Sequence, residues 1–288
     1  MRPKTFLPSF VFVLTGYALN PQKGQAGPIP LEIFSLFMIF SAFLFGGTCA
    51  VNTHFDKDQG PLNFLENPPE KPRYLGHAGF AMMLIGCLWS ALYGAWPFWM
   101  SVFATVLSLA YSARIPGLKW RGKEIGGPDV LIDSLGCGVV GVLLGASISG
   151  AVPTARTLLI SIAFTVSVAG SYPATQIFQM KASDTYASAR NFSSLLGAAR
   201  ALQVGSLLLL TGLSFIFYTV YMDFILGQIS LLQWGLYGLF VLTFLAGVLQ
   251  CLRWSHQPFE NSTPRFKSVI FTLLGARLFW IAAEWLRN

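Results

Sequence analysis

Nine long apolar runs constrain this 288-residue chain more than any other feature. They span approximately residues 5–20, 29–51, 75–95, 97–113, 129–150, 156–178, 193–220, 230–252 and 267–286. A bilayer-crossing helix needs about 20 mostly apolar residues. Only 11% of the residues are charged, against about 25% in an ordinary soluble domain. Backbone groups in hydrocarbon must be paired within their own segment, which selects helices, and the alternating ten-residue pattern of barrel strands is missing. The expected fold is therefore all-α: an integral membrane bundle of nine transmembrane helices, with residues 1–288 forming a single domain.

The basic residues predict the orientation. With a cytoplasmic N-terminus, fourteen Lys and Arg fall on the inner side, including Lys57, Lys71, Arg73, Arg114, Lys119, Arg121, Lys123, Lys181 and Arg190. Only Lys23, Arg156 and Arg287 fall outside, while Arg200 and Arg277 lie within spans. The net charge of +7 thus reports orientation and contact with lipid headgroups, and no nucleic-acid partner is expected. The four cysteines are scattered without a CxxC pair and read as small buried hydrophobes.

The inner loops after spans 2, 4 and 6 are long, polar and rich in chemistry-bearing side chains. The first reads Cys49-Ala-Val-Asn52-Thr-His-Phe-Asp56-Lys-Asp58-Gln-Gly60-Pro61, followed by Pro68 and Pro69. Asn52 and Asp56 share one face of a continuing helix. Asp58 joins them only if the chain unwinds ahead of Gly60-Pro61. Oxygen donors in this spacing suit a hard cation such as Mg²⁺. The second segment runs from Tyr111 through Arg114, Pro116, Gly117 and Lys119 to Arg121 and Lys123. The third contains Tyr172-Pro-Ala-Thr175-Gln176-Ile-Phe-Gln179, then Asp184, Arg190 and Asn191.

In this order the segments resemble those of the UbiA superfamily of intramembrane prenyltransferases. The first is similar to N-D-x-x-D-x-x-x-D, and more closely to the subgroup form N-x-x-x-D-x-D-x-G-P; the second resembles Y-S-x-P-P-x-R-x-K. The third resembles Y-P-L-T-Q-x-Y-Q followed by D-x-x-x-x-D. The chain departs from these patterns at Thr53, Gly60, Arg114 and Ala189, the last standing at the second acid of the third segment.

The resemblance implies Mg²⁺-dependent transfer of an isoprenyl group from an isoprenyl diphosphate donor to a hydrophobic acceptor, aromatic or lipid, within membrane lipids. It assigns Asn52, Asp56, Asp58 and Asp184 to metal, and Asp56, Asp184 and Tyr111 to catalysis. Lys119, Arg114, Arg190, Tyr172 and Gln176 fall to the diphosphate and substrate pocket, with Gln176 or Asn191 helping where Ala189 replaces an acid. Two alternatives stand beside it: a UbiA-like terpene cyclase needing no acceptor, and a non-catalytic lipid carrier on the same scaffold.

Other residues have plainer readings. Arg121 and Lys123 are expected as cytoplasmic anchors. Asp129 suits a helix N-terminus; Asp133, deeper in span 5, suits structural hydrogen bonding, although an ionisable group there is also a functional candidate. Arg200 is expected to reach diphosphate or pair with Asp133 or Asp184, and Arg277 and Glu284 to be structural. His54 is expected to be a bystander. Phe34, Phe37, Phe40, Phe43, Phe80, Trp89, Tyr93 and Trp99 are candidates to line a carbocation pocket, or to pack the bundle.

Overall fold

Apolar runs separated by Gly, Pro and charge become straight rods, because each rod satisfies its own backbone in a medium without water. A computed structural model describes residues 6–20, 28–56, 70, 72–113, 121–180, 190–257 and 262–287. The described rods are α1 (Phe6–Ala18), α2 (Ile29–Phe55), α3 (Leu75–Ala91), α4 (Ala95–Ser112), α5 (Pro128–Ile148), α6 (Ala155–Met180), α7 (Ala198–Ile225), α8 (Leu231–Ser255) and α9 (Ser262–Trp285). A single turn of 3₁₀ helix precedes α5, and a short helix, Phe192–Leu196, precedes α7. Among the described residues there is no strand, only an isolated bridge between Ile125 and Arg190.

Six of these helices, α2 and α5 to α9, are long and apolar enough to cross a membrane. They make this a multi-pass membrane protein. Helices α1, α3 and α4 have 13, 17 and 18 residues, so length alone does not carry the expected nine crossings. The sequence-predicted seventh span, 193–220, is in fact two elements. Gly197 at φ 77° breaks the chain between the short helix and α7, a conformation that favours glycine.

Small residues set how closely the rods approach, as expected where lipid supplies no hydrophobic drive between helices. A Cβ on Gly170 of α6 would lie 2.6 Å from the Gly205 carbonyl oxygen of α7, and one on Gly205 would lie 2.5 Å from that of Gly170. A Cβ on Gly145 of α5 would stand 1.9 Å from the Val13 carbonyl oxygen of α1. Large apolar side chains on the outer faces, such as Leu207, Phe217 and Leu242, are exposed, as a lipid-facing surface requires.

Two rods carry widened π-helical stretches, Phe37–Phe45 in α2 and Gly136–Val140 in α5. Such turns re-aim the residues that follow them and are frequent near functional sites. Here they flank the cavity described below, which Phe45, Thr48, Cys49 and Cys137 line.

The two ends of the bundle differ in chemistry. At one end, Arg156 Nη2 donates to Asp223 Oδ2 at 2.8 Å and to Glu284 Oε1 at 2.7 Å. Tyr237 donates to the same Glu284 oxygen at 2.8 Å, and Arg287 bonds both oxygens of Asp223. This network ties α6, α7, α8 and α9 together, the structural role foreseen for Glu284. At the other end α2, α4 and α6 finish and α5, α7 and α9 begin.

The glycine contacts generate a prediction. Gly205→Val should destabilise the protein by about 1–3 kcal/mol. Gly235→Val should stay near wild type, since a Cβ there meets nothing within 4 Å. Thermal unfolding of the solubilised protein measures both, and equal melting temperatures would contradict the close approach of α6 and α7.

Candidate active site

At this second end a cavity of about 260 Å³ opens between α1, α2, α4, α5, α6, α7, α8 and α9. Helical periodicity delivers its walls. On α9, Phe266, Ile270, Leu273, Leu274 and Arg277 share one face, as do Val168, Ser171, Tyr172, Thr175 and Gln176 on α6. The interior is mostly apolar; Asn52, Asp56 and Lys123 lie at the helix ends, while Ser167 and Arg277 line it from well inside α6 and α9.

Asp56 caps the C-terminus of α2. Its backbone is extended at φ −76°, ψ 139°, yet its N–H still donates to the Asn52 carbonyl at 2.9 Å. The expected one-turn spacing therefore survives the helix end, and Asn52 and Asp56 both line the cavity. Asp56 is only 4% exposed, so its charge needs compensation from within the protein. Arg121 Nη1 donates to Asp56 Oδ1 at 2.9 Å, and Lys123 Nζ bonds the same oxygen.

Arg121 and Lys123 are thus more than the cytoplasmic anchors expected from sequence: both are spent on Asp56. Arg121 is itself buried and held by Glu124, whose Oε1 accepts from Arg121 Nε at 2.7 Å. Burial works against the Arg121 charge, but Glu124 and Asp56 outweigh it and hold its pKa above the usual value. The intervening Gly122 permits this fit: a Cβ there would stand 2.7 Å from the Ala110 carbonyl oxygen. The sequence signal was the alternation Arg121-Gly-Lys123-Glu124, whose pairing with Asp56 no periodicity reveals.

Tyr111 of α4 and Tyr172 of α6 face each other, hydroxyl to hydroxyl, at 2.7 Å, and both line the cavity. Gln176, also on the wall, is engaged structurally. Its Nε2 donates to Asp129 Oδ2 at 2.7 Å, and its Oε1 accepts from the Ser193 N–H at 3.1 Å. Asp129 is fully buried and further accepts from the Gly127 and Phe192 N–H groups. It therefore does more than cap α5: it fastens the segment after α6 to the start of α5.

Several other expectations change. The Asn191 side chain accepts from the Ser194 N–H at 2.8 Å and caps the short helix; it does not stand in for a missing acid. Arg190 is exposed and off the cavity wall; its carbonyl accepts from the Gly126 N–H. Arg200 is exposed as well and reaches neither the cavity nor Asp133. Asp133 lies on the wall, and its carboxylate makes no hydrogen bond among the described residues that would give it the structural role expected. His54 is exposed against Phe55, off the wall. None of the eight aromatics named from spans 2–4 lines this cavity; Phe34, Phe80 and Trp99 point outward, and Trp89 packs on Phe34 and Phe43. The rings on the wall are Phe12, Phe45, Tyr111, Tyr172, Phe244 and Phe266. Asp58, Arg114, Lys119 and Asp184 lie outside the described residues.

The donor set bears on a metal. Among the described residues no cluster of three or more His, Cys, Asp or Glu side chains is placed to hold an ion. Asn52 Oδ1, however, is buried without a hydrogen-bond partner, one turn from the Asp56 carboxylate. Two hard oxygen donors on one wall, one of them unsatisfied, fit Mg²⁺, which takes few protein ligands and keeps the remainder for water or phosphate.

The fold has known counterparts. A UbiA homologue from Archaeoglobus fulgidus bound to DMAPP and Mg²⁺ superposes with a TM-score of 0.63 at 17% identity, covering 98% of this chain and 97% of that one. The same organism's homologue bound to GPP and Mg²⁺ gives 0.58 at 15% identity, over 97% and 98% of the two chains. A digeranylgeranylglyceryl phosphate synthase structure gives 0.62 at 13% identity, over 99% and 96%. No curated protein sequence matches significantly. The family model for UbiA prenyltransferases matches residues 9–280. The chain belongs to the UbiA prenyltransferase family.

Proposed function

We propose that the protein is an intramembrane prenyltransferase, taking an isoprenyl group from an isoprenyl diphosphate and joining it to a hydrophobic aromatic or lipid acceptor. The observation that carries this reading is the Asp56 carboxylate, gripped by Arg121 and Lys123 at the mouth of an apolar cavity, with the unsatisfied Asn52 oxygen beside it. That solved relatives of the same fold bind DMAPP or GPP with Mg²⁺ supports it. On this reading all nine rods cross the membrane, the N-terminus and the site face the cytoplasm, and the C-terminus lies outside.

The chemistry asks for heterolysis of the allylic carbon–oxygen bond, whose electron pair leaves with the diphosphate. The allylic carbon then bonds to the acceptor, which gives up a proton. Asn52 and Asp56, with Asp58 and Asp184, would hold Mg²⁺; when bound it stabilises negative charge on the departing diphosphate. Lys123 turns from Asp56 to the phosphate oxygens, where Lys119 and Arg114 assist as compact and forked donors. Arg121, locked by Glu124, holds the Asp56 carboxylate in place. The Tyr111–Tyr172 pair presents phenol oxygens and ring faces where the allylic cation forms. The apolar faces of α6, α8 and α9 receive the isoprenoid chain and exclude water.

The purified full chain, reconstituted in lipid nanodiscs with Mg²⁺ and donors of graded length, tests this. Diphosphate release and prenylated product should both require an acceptor. Asp56→Asn should lower kcat by about 10²–10³-fold, the usual cost of losing a group that stabilises transition-state charge. Lys123→Met should raise KM for the donor. Cyclic products without acceptor would replace the transferase with a cyclase. If no donor is turned over and Asp56→Asn binds donor as wild type does, the protein is a carrier and not an enzyme.

A further inference from the structure

Among the described residues two carboxylates line the cavity, and Asp56 is spent on Arg121 and Lys123. The other, Asp133, makes no hydrogen bond or ion pair with a described group, and its half-buried side chain lies open to the cavity. It is the sixth residue of α5, which puts it roughly 8 Å along the helix axis from the mouth end. A second cavity of about 70 Å³ lies against the first, between α2, α4 and α5. The two share Thr48, Tyr111 and Asp133, and apolar side chains such as Phe40 and Leu107 close the smaller one. Asp133 thus stands where two apolar spaces meet.

An acid inside a spanning helix is costly to keep, and a site is the first reason to keep one. The polar neighbours at the junction have partners of their own: Thr48 bonds Ser108 at 2.7 Å, and Tyr111 bonds Tyr172 at 2.7 Å. One helical turn, about 5.4 Å, separates Thr48 from Asn52, so the two cavities meet just below the expected diphosphate. Prenyl transfer also releases a proton from the acceptor, and something must take it. The other described candidates are committed or misplaced. Asp129 is held by Gln176 and by the Gly127 and Phe192 N–H groups, and His54 is exposed off the wall.

We propose that Asp133 holds the hydroxyl of a phenol or alcohol acceptor and takes its proton as the prenyl bond forms. This rests on the prenyl-transfer reading and adds the chemical class of the second substrate and the group that accepts its proton. The acceptor stands where the two cavities meet, its O–H donating to an Asp133 carboxylate oxygen. The isoprenoid chain runs into the larger space, along α6, α8 and α9. The allylic carbon–oxygen bond breaks, and its electron pair leaves on the diphosphate. A lone pair of the acceptor oxygen forms the new carbon–oxygen bond, and the O–H proton passes to Asp133 and then to water at the mouth. No further reactant is needed. A cation paired to Asp133 would compete with the acceptor for the same oxygens, and none of the described cations does so.

Two probes of similar shape test the assignment, 4-butylphenol and 4-butyltoluene, in which a methyl replaces the hydroxyl. Both are titrated against the full chain in phosphatidylcholine nanodiscs without donor, with empty nanodiscs correcting for partition into lipid. Wild-type protein should prefer the phenol by about tenfold, the scale of one hydrogen bond to a charged group. Asp133→Ala should erase that preference while binding of 4-butyltoluene moves less than about twofold, which also reports an intact cavity. With geranyl diphosphate and Mg²⁺ added, Asp133→Asn should keep KM for the phenol within about threefold but lower kcat by about 10²–10⁴-fold, the usual contribution of a general base. The loss should shrink with 4-cyanophenol, which gives up its proton more readily, whereas a structural defect lowers both rates alike. A wild type that binds both probes alike, a preference that survives Asp133→Ala, or an equal loss with both phenols overturns the proposal. Diphosphate release by the wild type reads the enzyme proposal separately. Release without a phenol preference removes the Asp133 site alone. A phenol preference without release removes the transferase and the proton transfer with it, and leaves Asp133 as a hydroxyl-binding group.

Discussion

A carboxylate drawn out of water at the end of an apolar bundle destabilises the fold unless cations come with it, and Asp56 is in that position. Its partners, Arg121 and Lys123, come from the segment that links α4 to α5. The resulting ion pairs join the end of α2 to that linker, and Asp129 then joins the start of α5 to Gln176 on α6 and to the chain before α7. Two buried acids therefore fix the mouth, and each reaches across elements far apart in sequence. Removing one partner from such a pair costs about 3–5 kcal/mol, because the remaining charge stays buried. The same tension that makes Asp56 costly to bury makes it a good ligand: a divalent cation and a diphosphate would satisfy it and its two basic partners together.

Much of the architecture was legible before any coordinates. Apolar length and the need to pair backbone groups predict the rods, and all nine predicted runs contain one. The sequence also identifies Asn52, Asp56, Tyr111, Tyr172 and Gln176, which all line one cavity. What it misses are side chains whose direction is set by tertiary contacts. Arg121 and Lys123 obey the positive-inside rule and look like anchors, and only the tight turn at Gly122 shows them facing Asp56. Arg200 fails in the opposite sense: a charge inside an apolar run looks functional, but a break at Gly197 starts α7 just before it and leaves it exposed. The aromatics of spans 2–4 mislead because abundance says nothing about facing; lipid and helix packing take most of them.

The cavity has an uneven distribution of charge that bears on function. Its mouth carries the acid and the amide oxygen together with Lys123, while its deep wall carries one cation, Arg277, between two rings. The π-helical stretches in α2 and α5 run alongside it, on the two helices that contribute Asn52 and Asp133. Apolar side chains from α8 and α9 lie between the two poles.

What Asp56 binds when substrate arrives decides whether the cavity mouth is a diphosphate site. A structure of the full chain in lipid with geranyl diphosphate and Mg²⁺ measures this directly. Mg²⁺ is expected about 2.1 Å from oxygens of Asp56 and Asn52, with Lys123 Nζ moved off the carboxylate onto a phosphate oxygen. A diphosphate bound elsewhere, with Lys123 still closed on Asp56 and the Asn52 oxygen still unsatisfied, would contradict it.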